Sequence, residues 1–309
     1  MARTTNTFRC SECGWVTQKW VGRCGECQQW DTVREVDAEV GSRTTARKVP
    51  ESRGAVRITE VEVAGTEHKP TGIAEFDRVL GGGLVPGAAI LVSGEPGVGK
   101  STLLLDVASR VAQTGAKVLY ISAEESVGQV RLRAERTGAL VDSLYLASET
   151  GLGIILGHID ELAPELVIID SVQTVASDAI DGIAGGVSQV REVSQTLVRV
   201  AKEKGIPILL VGHVTKDGTI AGPRMLEHLV DVVVHCEGDR QTALRFVRTF
   251  KNRFGPTDEV GCFEMVGEGI REVPDPSALF RSQSGSAISG TCTTITIEGR
   301  RAIPVEIQA

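Results

Sequence analysis

The octet Gly94-Glu95-Pro96-Gly97-Val98-Gly99-Lys100-Ser101 fits G-x-x-x-x-G-K-[ST], a spacing that suits phosphate binding. Its glycines let backbone N–H groups curl around phosphate oxygens. Lys100 then reaches the β- and γ-phosphates, and the Ser101 hydroxyl takes Mg²⁺. Thr102 follows in the same turn and is grouped with the binding segment. A helix opening near Ser101 would aim its positive end at the anion. The expected ligand is ATP with Mg²⁺.

Binding a nucleotide is not hydrolysing it. Asp170 ends the apolar run Leu166–Ile169, where an acid can hold the hydration shell of Mg²⁺. A turn or helix-capping acid is the plainer reading. Glu124 and Glu125 follow the run Val118–Ile121, where a carboxylate can orient and deprotonate the attacking water. Two solvated loop acids would look the same. His213 ends the run Ile206–Gly212, near where a γ-phosphate sensor would sit, although a lone strand-end histidine is more often simply packed or capped. Lys251 and Arg253 flank Asn252 at another strand end, before the turn Phe254-Gly255-Pro256. On a strand, residues i and i+2 share a face. The two cations therefore suit phosphate, either a neighbouring subunit's ATP or a DNA backbone; a solvated strand end is the alternative.

Cys10-x-x-Cys13 and Cys24-x-x-Cys27 are ten residues apart. Four thiolates in two such knuckles close a tetrahedral Zn²⁺ site with no open position, which implies structure and not catalysis. All three tryptophans, Trp15, Trp20 and Trp30, fall in this stretch. Packing around the metal, in a segment too small for its own core, is the preferred account. A stacking surface for bases stays open, helped by Lys19 and Arg23. Cys236, Cys262 and Cys292 read as small buried hydrophobes.

The elements that must carry these residues alternate. Ala88–Val92, Val118–Ile121, Leu166–Ile169 and Ile206–Val211 are near-continuous apolar runs, as in strands buried on both faces of a parallel sheet. Val187–Lys204 is a predicted helix, with Val190, Val193, Leu197, Val200 and Ala201 on one face and Gly205 as its stop. Asp231–Cys236, Leu244–Phe250 and Val260–Met265 read as an antiparallel extension of that sheet. The expected class is α/β, with a small zinc ribbon over 1–33, a polar linker over 34–57 and a nucleotide-binding domain over 58–278.

The net charge of −7 gives no global basic field for nucleic acid. Residues 1–57 hold ten Lys/Arg against seven Asp/Glu, so any DNA site must be local. No apolar run is long enough to span a membrane and no secretory signal is visible, so a cytoplasmic location and no membrane partner are expected.

Taken together these segments resemble the bacterial RadA (Sms) family of RecA-like recombination and repair ATPases. The resemblance covers essentially the whole chain. It rests on the four-cysteine ribbon, Thr71–Gly83, the phosphate loop, Ser122-Ala123-Glu124-Glu125-Ser126 and Ile169-Asp170-Ser171-Val172-Gln173. Its most specific piece is Lys251-Asn252-Arg253-Phe254-Gly255. The resemblance implies a RecA-like core and a ring, usually hexameric, hydrolysing ATP between subunits. It implies translocation on single-stranded DNA, processing of branched recombination intermediates and a RecA-type recombinase as partner. Glu124 takes the catalytic-base role by this likeness, Lys251 and Arg253 become trans fingers, and His213 a sensor. Loops Ser177–Gln189 and Val214–Arg224, the second carrying Lys216 and Arg224, would face a central DNA channel. Residues 279–309 would open a domain resembling the Lon protease fold, most of it absent. A regulatory ATPase similar to KaiC, acting on protein partners without DNA, is the alternative.

Overall fold

The computed structural model describes residues 7–12, 15–17, 19–36, 54–60, 67–213, 226–238, 243–275, 290–298 and 301–308. The chain divides into two compact units, Met1–Glu62 and Val63–Ala309. Among the described residues no helix is long and apolar enough to cross a membrane.

In the first unit, β1 (Thr7–Cys10) lies between β2 (Val16–Thr17) and β3 (Val33–Val36), both antiparallel to it. A sheet this small buries little apolar surface. Its core is Cys10, Cys24 and Val33, with Phe8, Trp15, Val21 and Cys27 packed around them. β3 carries the ribbon sheet through Val36, three residues into the stretch expected to be linker.

The second unit is built on a nine-stranded sheet of order β12-β11-β10-β9-β4-β8-β7-β5-β6. The strands are β4 (Ala89–Gly94), β5 (Val118–Ser122), β6 (Leu144–Ser148), β7 (Leu166–Asp170), β8 (Ile208–His213), β9 (Val232–Gly238), β10 (Leu244–Asn252), β11 (Val260–Val266) and β12 (Gly269–Glu272). Strands β9, β4, β8, β7, β5 and β6 run parallel. The antiparallel part begins only with β10. The sequence expectation for β9 is thereby corrected: it is a parallel strand beside β4. The apolar run Val232-Val233-Val234 cannot tell a parallel neighbour from an antiparallel one; that depends on the crossover before it. A separate hairpin pairs β13 (Thr291–Glu298) with β14 (Arg301–Gln308).

Helices cover both faces. On one face, Phe76 of α1 (Ala74–Leu80), Leu103, Leu104 and Val107 of α2 (Lys100–Gln113) and Val130 of α3 (Val127–Arg136) pack on Ile90, Val92 and Tyr120. On the other, Ile155 and Ile159 of α4 (Leu152–Leu162) and Val190, Val193 and Leu197 of α5 (Val187–Lys204) pack on Ala89, Leu91 and Ile169. Each fully buried Val or Leu stabilises by about 1.5–3 kcal/mol relative to exposure. α5 has the bounds and the Gly205 stop that its periodicity predicts; Gly205 is left-handed, with φ 67°. α3 is fixed at its start by a capping box between Ser126 and Gln129.

Two sequence segments that carry the family resemblance meet here. The end of β10 packs on the left-handed Gly81 that closes α1. The Asn252 Nδ2 donates to the Leu80 carbonyl at 3.0 Å. A Cβ on Gly81 would lie 3.1 Å from the Gly255 Cα, and Gly81 has φ 82°. Gly81→Ala should cost about 1–2 kcal/mol from the backbone conformation, with more from the contact. The check is a denaturant midpoint; an unchanged midpoint would contradict this packing.

Candidate functional site

The phosphate loop sits between β4 and α2. Its glycines adopt backbone angles that other residues resist: φ is 150° at Gly94, 78° at Gly97 and 105° at Gly99. A Cβ on Gly94 would meet the Cys236 carbonyl of β9 at 2.4 Å, so the loop turns where only glycine fits. α2 starts at Lys100 with no side-chain cap, leaving its first N–H groups for an anion. Lys100 is buried, and its ammonium donates to the carbonyls of Gly94 and Glu95, each at 2.9 Å. Burial pulls its pKa down, while the Asp170 and Glu124 carboxylates pull it back up. The residues present fit a nucleotide's phosphates: an open helix start, a glycine cradle and a cation parked on loop carbonyls. Ser101 opens the first turn beside Lys100, and Thr102 turns toward Gly269 of β12.

Register brings the acids to the same edge. Gly94 pairs with His213, and Ser122 with Asp170, so the ends of β4, β8, β7 and β5 align. Asp170 is buried and accepts the Tyr120 hydroxyl at 2.7 Å. That hydroxyl is pushed well above its ordinary range, by burial first and then by the Asp170 charge. Asp170 thus sits at the strand edge beside Lys100, where a carboxylate suits a magnesium hydration shell.

Glu124 is already engaged. Its Oε1 accepts from the Ser171 hydroxyl at 2.5 Å and lies 3.0 Å from the His213 Nε2. The His213 hydrogen bond is the main reason its pKa falls to about 2; Ser171 and Lys100 add to this against burial. Glu125, its neighbour in sequence, is spent elsewhere, in a close ion pair with Arg133 of α3. The two acids therefore differ: Glu124 faces the phosphate loop, and Glu125 secures α3. The Gln173 Nε2 reaches the His213 carbonyl at 3.5 Å. Ser171, Gln173 and Tyr120 were given no role by sequence reasoning. The signal for Ser171 and Gln173 was their place directly after Asp170; Tyr120, inside an apolar run, had none.

Lys251 and Arg253 lie at the other end of the sheet. The Lys251 ammonium donates to the carbonyls of Glu227 and Val230 at 2.7 and 2.8 Å. Burial lowers its pKa, and Arg253 lowers it further. Arg253 Nη1 donates to Asp231 Oδ1 at 3.0 Å. Asp231 also binds Lys202 of α5 at 3.1 Å and accepts the Ala89 N–H. Ala89 begins β4 and Gly94 ends it, a separation of roughly 17 Å at strand rise. Both cations reach the 227–231 turn together, away from their own phosphate loop.

Of the two loops expected to face a channel, 214–224 lies outside the described residues. The loop before α5 is clamped: buried Gln189 accepts the Ser177 N–H at 2.8 Å and donates to the Ser177 and Ile180 carbonyls at 3.1 and 2.9 Å. Gln189 is thus an internal brace, and Ile183 is the exposed tip.

In the ribbon, the sulfurs of Cys10, Cys24 and Cys27 lie within 4.8 Å of one another, and Cys10 and Cys27 are 3.6 Å apart. Four Zn–S bonds of about 2.3 Å set sulfurs about 3.8 Å apart, so the three fit a zinc corner. The Glu26 N–H points at the Cys24 sulfur at 3.4 Å, a donor that stabilises a thiolate. Cys13 lies outside the described residues. The tryptophans divide: Trp15 packs over Gly25, while Trp20 and Trp30 are exposed. Packing around the metal therefore accounts for Trp15 alone.

Residues 55–219 match the AAA domain family, and residues 8–35 match the rubredoxin metal binding domain family. The chain is 53% identical over its whole length to the DNA repair protein RadA of Mycolicibacterium smegmatis, covering 68% of that protein. It is 53% identical to that of Mycobacterium tuberculosis H37Rv, covering 65% of it, and 46% identical to that of Listeria monocytogenes, covering 68%. The chain thus spans about two thirds of these relatives' length. A KaiC-like protein of Pyrococcus horikoshii OT3 superposes with TM-score 0.56 at 20% identity, over 68% of this chain and all of that one. That likeness supports the fold.

Three outcomes are expected. His213→Ala should raise the Glu124 titration from about 2 toward the ordinary carboxylate range, followed by carboxyl NMR. The lowered folded-state pKa gives stability that is present above an unfolded value of 4.5 and lost as pH falls through about 2. Glu124→Gln should flatten that acid limb. For the ribbon, metal analysis should find about one zinc per chain, lost in Cys24→Ser; full occupancy in that variant would reject the cluster.

Proposed function

The chain belongs to the RadA family of DNA repair proteins, and on that premise we propose that it is a DNA-dependent ATPase whose active site is completed by a neighbouring copy. Its place of work is the cytoplasm. The observation that carries the shared site is the separation along β4. The phosphate loop ends that strand, whereas Arg253, bound to Asp231, sits beside its first residue. Lys251 and Arg253 suit a neighbour's nucleotide and cannot reach their own. A heterologous contact of this kind closes into a ring, and we read the ring as a hexamer.

In this mechanism the loop N–H groups and Lys100 hold the phosphates of ATP. Ser101 and Asp170 would hold Mg²⁺, which would supply neutralisation of phosphate charge. Glu124 takes the proton of the attacking water. Ser171 and His213 both hold its Oε1, which orients the carboxylate for that role. His213, bonded to the base and paired in register with Gly94, reports the state of the γ-phosphate. Arg253 and Lys251 of the adjacent copy stabilise the charge that develops there. Turnover moves the ring along single-stranded DNA through loops 177–189 and 214–224. It drives branch migration of branched recombination intermediates made by a RecA-type recombinase. We read β13–β14 as the opening of a Lon-protease-like domain.

The test is ATP turnover with and without single-stranded DNA, with particle size measured in the same samples. DNA should stimulate hydrolysis, and Lys100→Ala should lower it by about 100-fold or more. Glu124→Gln and Arg253→Ala, each inactive alone, should regain activity when mixed, because about a quarter of interfaces in a mixed ring pair two intact halves. No recovery would reject the shared site. Slow turnover indifferent to DNA would favour a KaiC-like regulator acting on protein partners.

A further inference from the structure

The ribbon holds an aromatic pair outside the core formed by its described residues. Trp15 does the packing: a Cβ on Gly25 would meet its Cζ2 at 2.8 Å, and its carbonyl accepts the Cys10 N–H at 2.8 Å. Trp20 and Trp30 are 64% and 71% exposed. Tryptophan presents about 150–250 Å² of surface, so exposing two in so small a module is a considerable cost in water.

Their placement is fixed by the zinc knuckle. Arg23 and Trp30 are bridged across the knuckle, closed by bonds from the Asp31 N–H to the Gly22 carbonyl at 2.9 Å and from the Cys24 N–H to the Gln29 carbonyl at 3.0 Å. Gln28 and Asp31 take left-handed angles, both with φ 59°, to make the turn. Both rings converge over Gly22. A Cβ there would touch Trp20 Cη2 at 3.7 Å and Trp30 Cζ3 at 3.9 Å. Arg23 is clamped by Gln28, through its carbonyl at 2.8 Å and its side-chain oxygen at 3.0 Å. So held, its guanidinium lies 5.6 Å from the Trp30 ring centre. Lys19 is exposed immediately before Trp20.

We propose that Trp20 and Trp30 form a stacking platform for the bases of single-stranded DNA, with Arg23 and Lys19 on the phosphates. The proposal rests on the DNA-acting reading above. Flat rings with adjacent cations bind any base without regard to sequence, which a translocating protein requires. A chain of net charge −7 needs such local cations to hold a polyanion. The backbone bridge at Arg23 and Trp30 fixes where that ring emerges, which lowers the ordering cost of binding.

All three tryptophans of the chain lie in the ribbon, so its intrinsic tryptophan fluorescence reports on that unit alone. Oligo(dT) added to the whole 309-residue chain should quench this emission, and a zinc chelator should abolish the quenching. Trp20→Ala and Trp30→Ala should each weaken binding of a labelled oligo(dT), read by anisotropy, about fivefold or more. Zinc content should stay unchanged, and Trp→Phe should restore much of the affinity. DNA binding by anisotropy with no quenching, and full affinity in the double alanine variant, would overturn the platform and leave the DNA-acting reading standing. Absence of DNA binding in every readout would overturn both. Loss of recombinase capture in the double variant, with DNA affinity intact, would assign the rings to a protein partner and overturn the proposal.

Discussion

Strand β4 is buried along its whole length, so its backbone groups must be paired on both sides. β8 and β9 supply those partners, both parallel to it. That requirement sets the rest of the nucleotide site. Pairing with β8 puts His213 level with Gly94, and β7 and β5 then bring Asp170 and Glu124 to the same edge. Pairing with β9 puts Asp231 beside Ala89 at the opposite edge. One strand thus fixes two chemistries at its two ends: an anion cradle with carboxylates, and a carboxylate that gathers cations.

Both ends are held by polar groups that satisfy one another, with Lys100 and Asp231 buried. Lys100 rests on two loop carbonyls, and Glu124 on a hydroxyl and an imidazole. Asp231 is almost wholly buried and answers an N–H, an ammonium and a guanidinium. Leaving Lys100 or Asp231 unpaired would cost the desolvation of a buried charged group. The arrangement is pre-organised for phosphate without leaving bare charge inside the protein.

The ribbon solves a different problem. It has too little apolar surface to fold by burial, and its core is largely its own cysteines with Val33 and Trp15. The cysteine corner stands where a larger core would, and Trp20 and Trp30 lie outside it, exposed.

The glycine octet, the C-x-x-C pairs, the buried parallel strands and helix α5 were legible in the sequence, because each is local. A φ that only glycine tolerates, a ligand spacing and a helical period are written within a few neighbouring residues. What the sequence left open were relations between distant segments. That Glu124 and not Glu125 faces the loop depends on where Ser171, His213 and Arg133 arrive. That β9 is parallel depends on its crossover, and that Asp231 gathers Lys202 and Arg253 depends on three elements meeting. The tryptophans show the same division. Their confinement to the ribbon is plain from the chain, but a tight approach to Gly25 half-buries Trp15, whereas Trp20 and Trp30 are exposed.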